Sequence, residues 1–120
     1  MQDSLTIRLV RSIDQLKDDV IIFRKRHTYQ GGYLMRYTDG LLPNKVWVQD
    51  KTIEEILKYI ERMFMFLKYD NDPFISLQVD IPSHPQIFIN IEKITDELSY
   101  SITHAIHDFL MKPPSYYFNQ

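Results

Sequence analysis

Residues 75–91 read Ile75-Ser76-Leu77-Gln78-Val79-Asp80-Ile81-Pro82-Ser83-His84-Pro85-Gln86-Ile87-Phe88-Ile89-Asn90-Ile91. Ile75, Leu77, Val79 and Ile81 alternate with Ser76, Gln78 and Asp80, the period of a strand with one buried face. Pro82-Ser83-His84-Pro85 has turn chemistry. Ile87, Ile89 and Ile91 then alternate with Phe88 and Asn90 as a returning strand. A hairpin with one apolar face needs a cover. The segments on either side supply it.

Upstream, Thr52 and Glu55 have the spacing of a capping box. Ile53, Ile56, Leu57, Ile60, Phe64 and Leu67 then recur at helical spacing and form one apolar stripe. Glu54 and Lys58 sit one turn apart on the other side, where they can pair. Asp70-Asn71-Asp72-Pro73 ends this helix. Downstream, a second helix begins at Thr95, with Asp96 and Glu97 in the first turn, where carboxylates suit the dipole. Its stripe is Leu98, Ile102, Ala105, Ile106, Phe109 and Leu110, and Pro113-Pro114 stops it.

The first half reads as strands. Leu5-Thr6-Ile7-Arg8-Leu9 alternates. Ser12 to Asp19 is polar, with capping-box spacing between Ser12 and Gln15 for one helical turn. Val20 to His27 is a second strand, Gly31-Gly32 a hairpin turn, and Tyr33 to Thr38 the third strand. Asp39-Gly40 and Pro43-Asn44 make a loop before a short fourth strand, Val46-Trp47-Val48. The order β-β-β-β-α-β-β-α predicts an α+β two-layer sandwich. About six strands form a mostly antiparallel sheet, and both helices pack on one face. The expected organisation is a single α+β domain over 1–112 and a Pro/aromatic tail over 113–120.

The chain has 120 residues, 44% apolar and 25% charged, the balance of one globular domain. There is no cysteine, which removes disulfides, iron–sulfur clusters and cysteine-based zinc sites. Met1-Gln2-Asp3-Ser4-Leu5 lacks the basic start of a signal peptide. The longest apolar run is Met63 to Leu67, far short of the roughly 20 residues of a membrane span. The expected location is cytoplasmic, or nuclear by diffusion. One alanine against fifteen isoleucines resembles the product of an AT-rich coding sequence.

Net charge is −2, so nothing overall asks for nucleic acid or anionic lipid. The charge is uneven, however. Val20 to Thr38 holds Arg24, Lys25, Arg26 and Arg36 and no Asp or Glu. With Gly31-Gly32 as a two-residue turn, Arg24 and Arg26 share a face with Tyr33, Met35 and Tyr37. Cations beside rings suit single-stranded nucleic acid or an acidic partner. Charge on an edge strand also simply prevents aggregation.

Pro113-Pro114-Ser115-Tyr116 matches the Pro-Pro-x-Tyr pattern that WW domains bind. Two prolines preset the extended helix, so little entropy is lost on docking. Pro113, Pro114, Tyr116 and Tyr117 are the candidate partner-binding residues; with Phe118, the same stretch also reads as a helix stop folding back on the domain. His104, His107 and Asp108 lie at i, i+3 and i+4, a spacing that could reach one metal, but no fourth ligand is visible. Asp70-Asn71-Asp72 starts like a calcium loop but has Ile75 where glycine and Ile81 where the last acid belong. There is no phosphate-binding loop and no nucleophile elbow. No catalytic residue, metal or cofactor is assigned. Met63-Phe64-Met65-Phe66 is apolar on every side of its helix, so it is either wholly buried or partly a contact surface.

The stretch from Val46 to Leu110 resembles the dimerisation fold of the small subunits that pair in cellular RNA polymerases: strand, helix, hairpin, helix. Pro82-Ser83-His84-Pro85 is similar to a His-Pro turn of that family. The family's His-Thr-Leu-Gly-Asn stretch is absent; the equivalent place reads Lys51-Thr52-Ile53-Glu54-Glu55. The resemblance covers about half the chain and implies a subunit of a larger complex.

The leading expectation is a small non-enzymatic interaction or assembly protein, structural or adaptor-like. Its partner is a protein, for instance one with a WW domain, or a second copy of itself. The alternatives are a single-strand nucleic-acid binder using Arg24, Lys25, Arg26, Tyr33, Arg36 and Tyr37, and an enzyme whose site forms between subunits around His104, His107 and Asp108.

Overall fold

The computed structural model describes residues 3–11, 17–26, 32–42, 44–69 and 74–113. Its elements are β1 (Ser4–Arg11), β2 (Asp19–Lys25), β3 (Tyr33–Thr38), β4 (Val46–Lys51), α1 (Ile53–Tyr69), β5 (Phe74–Asp80), β6 (Ile87–Asn90), a 3-10 turn (Ile91–Lys93) and α2 (Asp96–Met111). Six strands form one sheet in the order β4-β3-β2-β1-β5-β6, and every neighbouring pair is antiparallel. This is the expected α+β arrangement.

The chain first runs as a meander, β1 to β4, toward one edge. α1 then crosses back, so that β5 pairs with β1 and β6 closes the other edge. The first strand is therefore central. β4 and β5, joined by α1, are separated by three strands.

One face of the sheet is covered. Leu5, Ile7, Ile21, Phe23, Leu77 and Val79 are fully buried there, against Ile56, Ile60 and Leu67 of α1 and Ile102, Ile106 and Leu110 of α2. Each such side chain contributes on the order of 1.5–3 kcal/mol relative to exposure. The helices run antiparallel. Lys68, at the end of α1, pairs with Asp96 at the start of α2 at 2.8 Å. Both helix starts are capped as their sequences require. Thr52 and Glu55 exchange bonds of 3.0 and 3.2 Å, and the Thr95 hydroxyl accepts from the Leu98 amide at 3.1 Å.

Three details differ from the sequence reading. Ile75, expected on the apolar face, is 52% exposed. The β1–β5 register shifts between Val10, opposite Ser76, and Arg11, opposite Phe74. That irregularity leaves Ile75 unopposed and puts Phe74 in the core instead. Met63, Phe64 and Leu67 are buried, whereas Met65 and Phe66 face solvent, so the apolar run is divided between core and surface. Leu98, expected on the apolar stripe of α2, is 38% exposed. The expected turn between β5 and β6 is present, and within it Ser83 has φ 68°. It follows Pro82 in a turn closed by the His84 amide on the Ile81 carbonyl at 3.0 Å. A positive φ at that position belongs to a type II turn, which glycine usually fills.

Candidate interaction edge

The phase of the sheet's hydrogen bonds can be followed out to β4. The Lys25 amide donates to the Asp3 carbonyl at 2.9 Å, toward β1, and the Arg26 amide to the Gly32 carbonyl at 3.4 Å, toward β3. Backbone groups alternate along an antiparallel ladder. Leu34, Arg36 and Thr38 thus turn their N–H and C=O toward β2, whereas Tyr33, Met35 and Tyr37 turn theirs toward β4. Their partners are Lys51, Gln49 and Trp47. The N–H and C=O of Val46, Val48 and Asp50 are left pointing away from the sheet.

Side chains make the first half of this edge apolar, and Gln49, Asp50 and Lys51 make the second half polar. Val46, Trp47 and Val48 are 39, 42 and 53% exposed, and Leu41 and Leu42 in the preceding turn are exposed too. Val46 and Val48 lie on the uncovered face of the sheet, while Trp47 lies on the helix side. There its ring meets Tyr37 edge-on at 5.7 Å. β4 carries neither proline nor bulge. The opposite edge is protected differently: β6 has four residues, and the chain enters it from a proline-bounded turn and leaves it through a 3-10 turn.

A buried polar cluster holds the turn into β4. Asp19 is 1% exposed. Its carboxylate accepts from Arg11 Nε at 3.0 Å and Arg11 Nη2 at 3.1 Å. It also accepts from the Tyr37 hydroxyl and from the Gly40 amide at 2.8 Å. Burial, then the Asp19 charge, pushes the Tyr37 phenol up from its ordinary value. Gly40 must be glycine, because a Cβ there would fall 1.8 Å from the Lys17 carbonyl oxygen. Arg11 also packs over Phe74 at 4.8 Å. This cluster ties β1, β2 and β3 to the β3–β4 turn. The sequence hints at it only through Asp39-Gly40; nothing in the local pattern marks Arg11 or Asp19 as buried.

The predicted basic hairpin is rearranged. β2 ends at Lys25 and β3 begins at Tyr33, so the connection is longer than two residues and the register is Lys25 with Tyr33 and Arg24 with Leu34. An odd shift moves side chains to the opposite face. Arg24 and Arg36 stand exposed on the open face, whereas Lys25, Tyr33 and Tyr37 lie under the helices. Lys25 is buried with its ammonium 4.1 Å from the Phe109 ring centroid, and desolvation lowers its pKa. The Tyr33 hydroxyl donates to the Leu110 carbonyl. Arg26 pairs with Asp50 on β4. The expected single surface of cations and rings is thus split across the sheet.

Of the tail residues, Pro113 is half-buried, and Pro114, Tyr116 and Tyr117 lie outside the described residues. His104 and Asp108 are exposed and 3.6 Å apart, and His107 is 3.9 Å from Asp108. Tyr100 stacks on His104 at 6.2 Å. A groove of about 740 Å³ runs between the outer faces of α1 and α2, with Leu57, Phe64, Met65, Tyr69 and Tyr100 among its lining. No helix among the described residues is long and apolar enough to cross a membrane.

No protein-family model, curated protein or solved structure matches this chain. The polymerase-subunit resemblance therefore rests on element order and the His84-Pro85 turn alone.

Proposed function

We propose that this chain is a small assembly module that binds a protein partner by adding a β-strand to its sheet at β4. The observation that supports this reading is the β4 edge itself. It combines outward backbone donors and acceptors at Val46, Val48 and Asp50 with the exposed side chains of Val46, Trp47 and Val48. Strand addition uses these two components together: backbone bonds give affinity and alternate side chains give specificity. Exposed apolar edges are normally blocked, so the open apolar half of β4 is in keeping with a partner. The Asp19 cluster supports the same reading, because it holds the preceding turn and so preorganises the edge.

A photo-crosslinking residue placed at Val48, in the cells that make the protein, tests this. Protein adducts should form there in clear excess over the same residue at the exposed Ser101 on α2. Equal yields at the two positions would remove β4 as the interaction site.

A further inference from the structure

We infer that the strand added at β4 is β4 of a second copy, in one register centred on Trp47. This rests on the strand-addition reading and specifies its partner. Geometry restricts the pairing. A two-fold axis that relates antiparallel neighbours stands perpendicular to the sheet, so it keeps each face on its own side. Residue i must then oppose residue j with i and j both even or both odd. The outward-pointing backbone of Val46, Val48 and Asp50 imposes the same condition.

Registers centred on any residue from 46 to 51 overlap the strand. Centring on Asp50 or Lys51 opposes that charge to its own copy, and centring on Gln49 opposes Val48 to Asp50 and Trp47 to Lys51. Centring on Val48 opposes Lys45 to Lys51 of the partner copy and Asp50 to Val46, placing like charges together and a carboxylate on an apolar side chain. Centring on Val46 opposes Lys45 to Trp47 on both sides. Centring on Trp47 opposes Val46 to Val48, Lys45 to Gln49 and Asn44 to Asp50, with Trp47 facing its own copy on the axis. This register alone matches the apolar residues to apolar residues and opposes no like charges.

The hydrogen bonds fit that register as well. Val46 and Val48 form the doubly bonded pairs. Trp47, whose backbone is used by Tyr37 of β3, falls at a non-hydrogen-bonded position, where opposed side chains come closest. The two indoles meet on the helix side, each backed by Tyr37. The result is one continuous sheet with the helices of both copies on the same side.

Light scattering on the size-separated chain should give twice the 14.5 kDa chain mass. Val48→Pro removes an outward N–H and leaves the β3 ladder intact. It should weaken the dimer by about tenfold for each of the two bonds lost, with the far-ultraviolet circular dichroism unchanged. Val48→Lys, which keeps the amide, should also weaken it by setting ammonium groups against Val46. In the wild type, the Val46 and Val48 amides should become protected from hydrogen exchange as concentration rises. A wild-type monomer throughout a dilution series would overturn the inference, as would a dimer unaffected by both variants. If the Val48 photo-adducts then contain a different protein, strand addition stands and only self-pairing falls. If there are no adducts at all, both fall.

Discussion

Replacing Asp19 by alanine removes the acceptor that serves Arg11, Tyr37 and the Gly40 amide at once. The carboxylate side chain is 1% exposed and the Arg11 side chain 13% exposed, so neither the guanidinium nor the phenol regains full hydration. Breaking one side of a buried ion pair costs about 3–5 kcal/mol, because the remaining charge is uncompensated. Arg11 keeps a second carboxylate, Asp39, at 3.7 Å, which puts the expected loss near the lower end, about 3 kcal/mol. A domain of this size has a total stability on the order of 5–15 kcal/mol. Urea unfolding followed by tryptophan fluorescence is a suitable assay, since Trp47 touches Tyr37 and Tyr37 touches Asp19. With a urea slope of about 1–3 kcal/mol/M, the midpoint should fall by roughly 1–3 M. Combining Asp19→Ala with Arg11→Met should cost clearly less than the two single changes added together, because each single change orphans the other group. A loss under about 1 kcal/mol for Asp19→Ala, or strictly additive single changes, would refute the argument that this carboxylate is buried among four donors.

Two further outcomes follow from local chemistry. Burial, helped by the Asp19 charge, pushes the Tyr59 phenol up to about 12 from its ordinary value near 10. The folded chain holds that proton where the unfolded chain releases it. Its contribution is therefore complete below pH 10 and is lost as pH rises toward 12, by up to about 2–3 kcal/mol. Tyr37 acts in the same direction, and Tyr59→Phe should flatten the alkaline fall in urea midpoint without abolishing it. Thr52→Ala removes the hydroxyl that accepts from the Glu55 amide at the start of α1. It should cost about 1 kcal/mol in the same unfolding assay, with α1 still formed.

Much of the fold was legible because it is written in local periodicity. The alternation of Leu77, Val79 and Ile81, the helical stripe of Ile56, Ile60, Phe64 and Leu67, and the caps at Thr52 and Thr95 each involve residues within one or two turns of one another. Such patterns survive any tertiary arrangement that buries one face. The β2–β3 register was not legible. Gly31-Gly32 reads as a turn signal in the sequence, but loop length sets register, and an odd difference in it exchanged the faces of Arg24, Lys25, Tyr33 and Tyr37. The extra residue at Ile75 escaped for a similar reason. A bulge is a property of two paired strands, not of one sequence.

The candidate edge was half legible. Val46-Trp47-Val48 reads as a strand, yet nothing along the chain says whether such a strand sits inside a sheet or at its margin. Composition and periodicity by themselves determined the class of the fold, the two helices and their buried stripes, because those depend on contacts between near neighbours. The order β4-β3-β2-β1-β5-β6, the burial of Arg11 and Asp19 against Tyr37 and Gly40, and the exposure of β4 were decided only by tertiary structure. They depend on which distant strands pair, and α1, by returning the chain to β1, leaves β4 with a neighbour on one side only among the described residues.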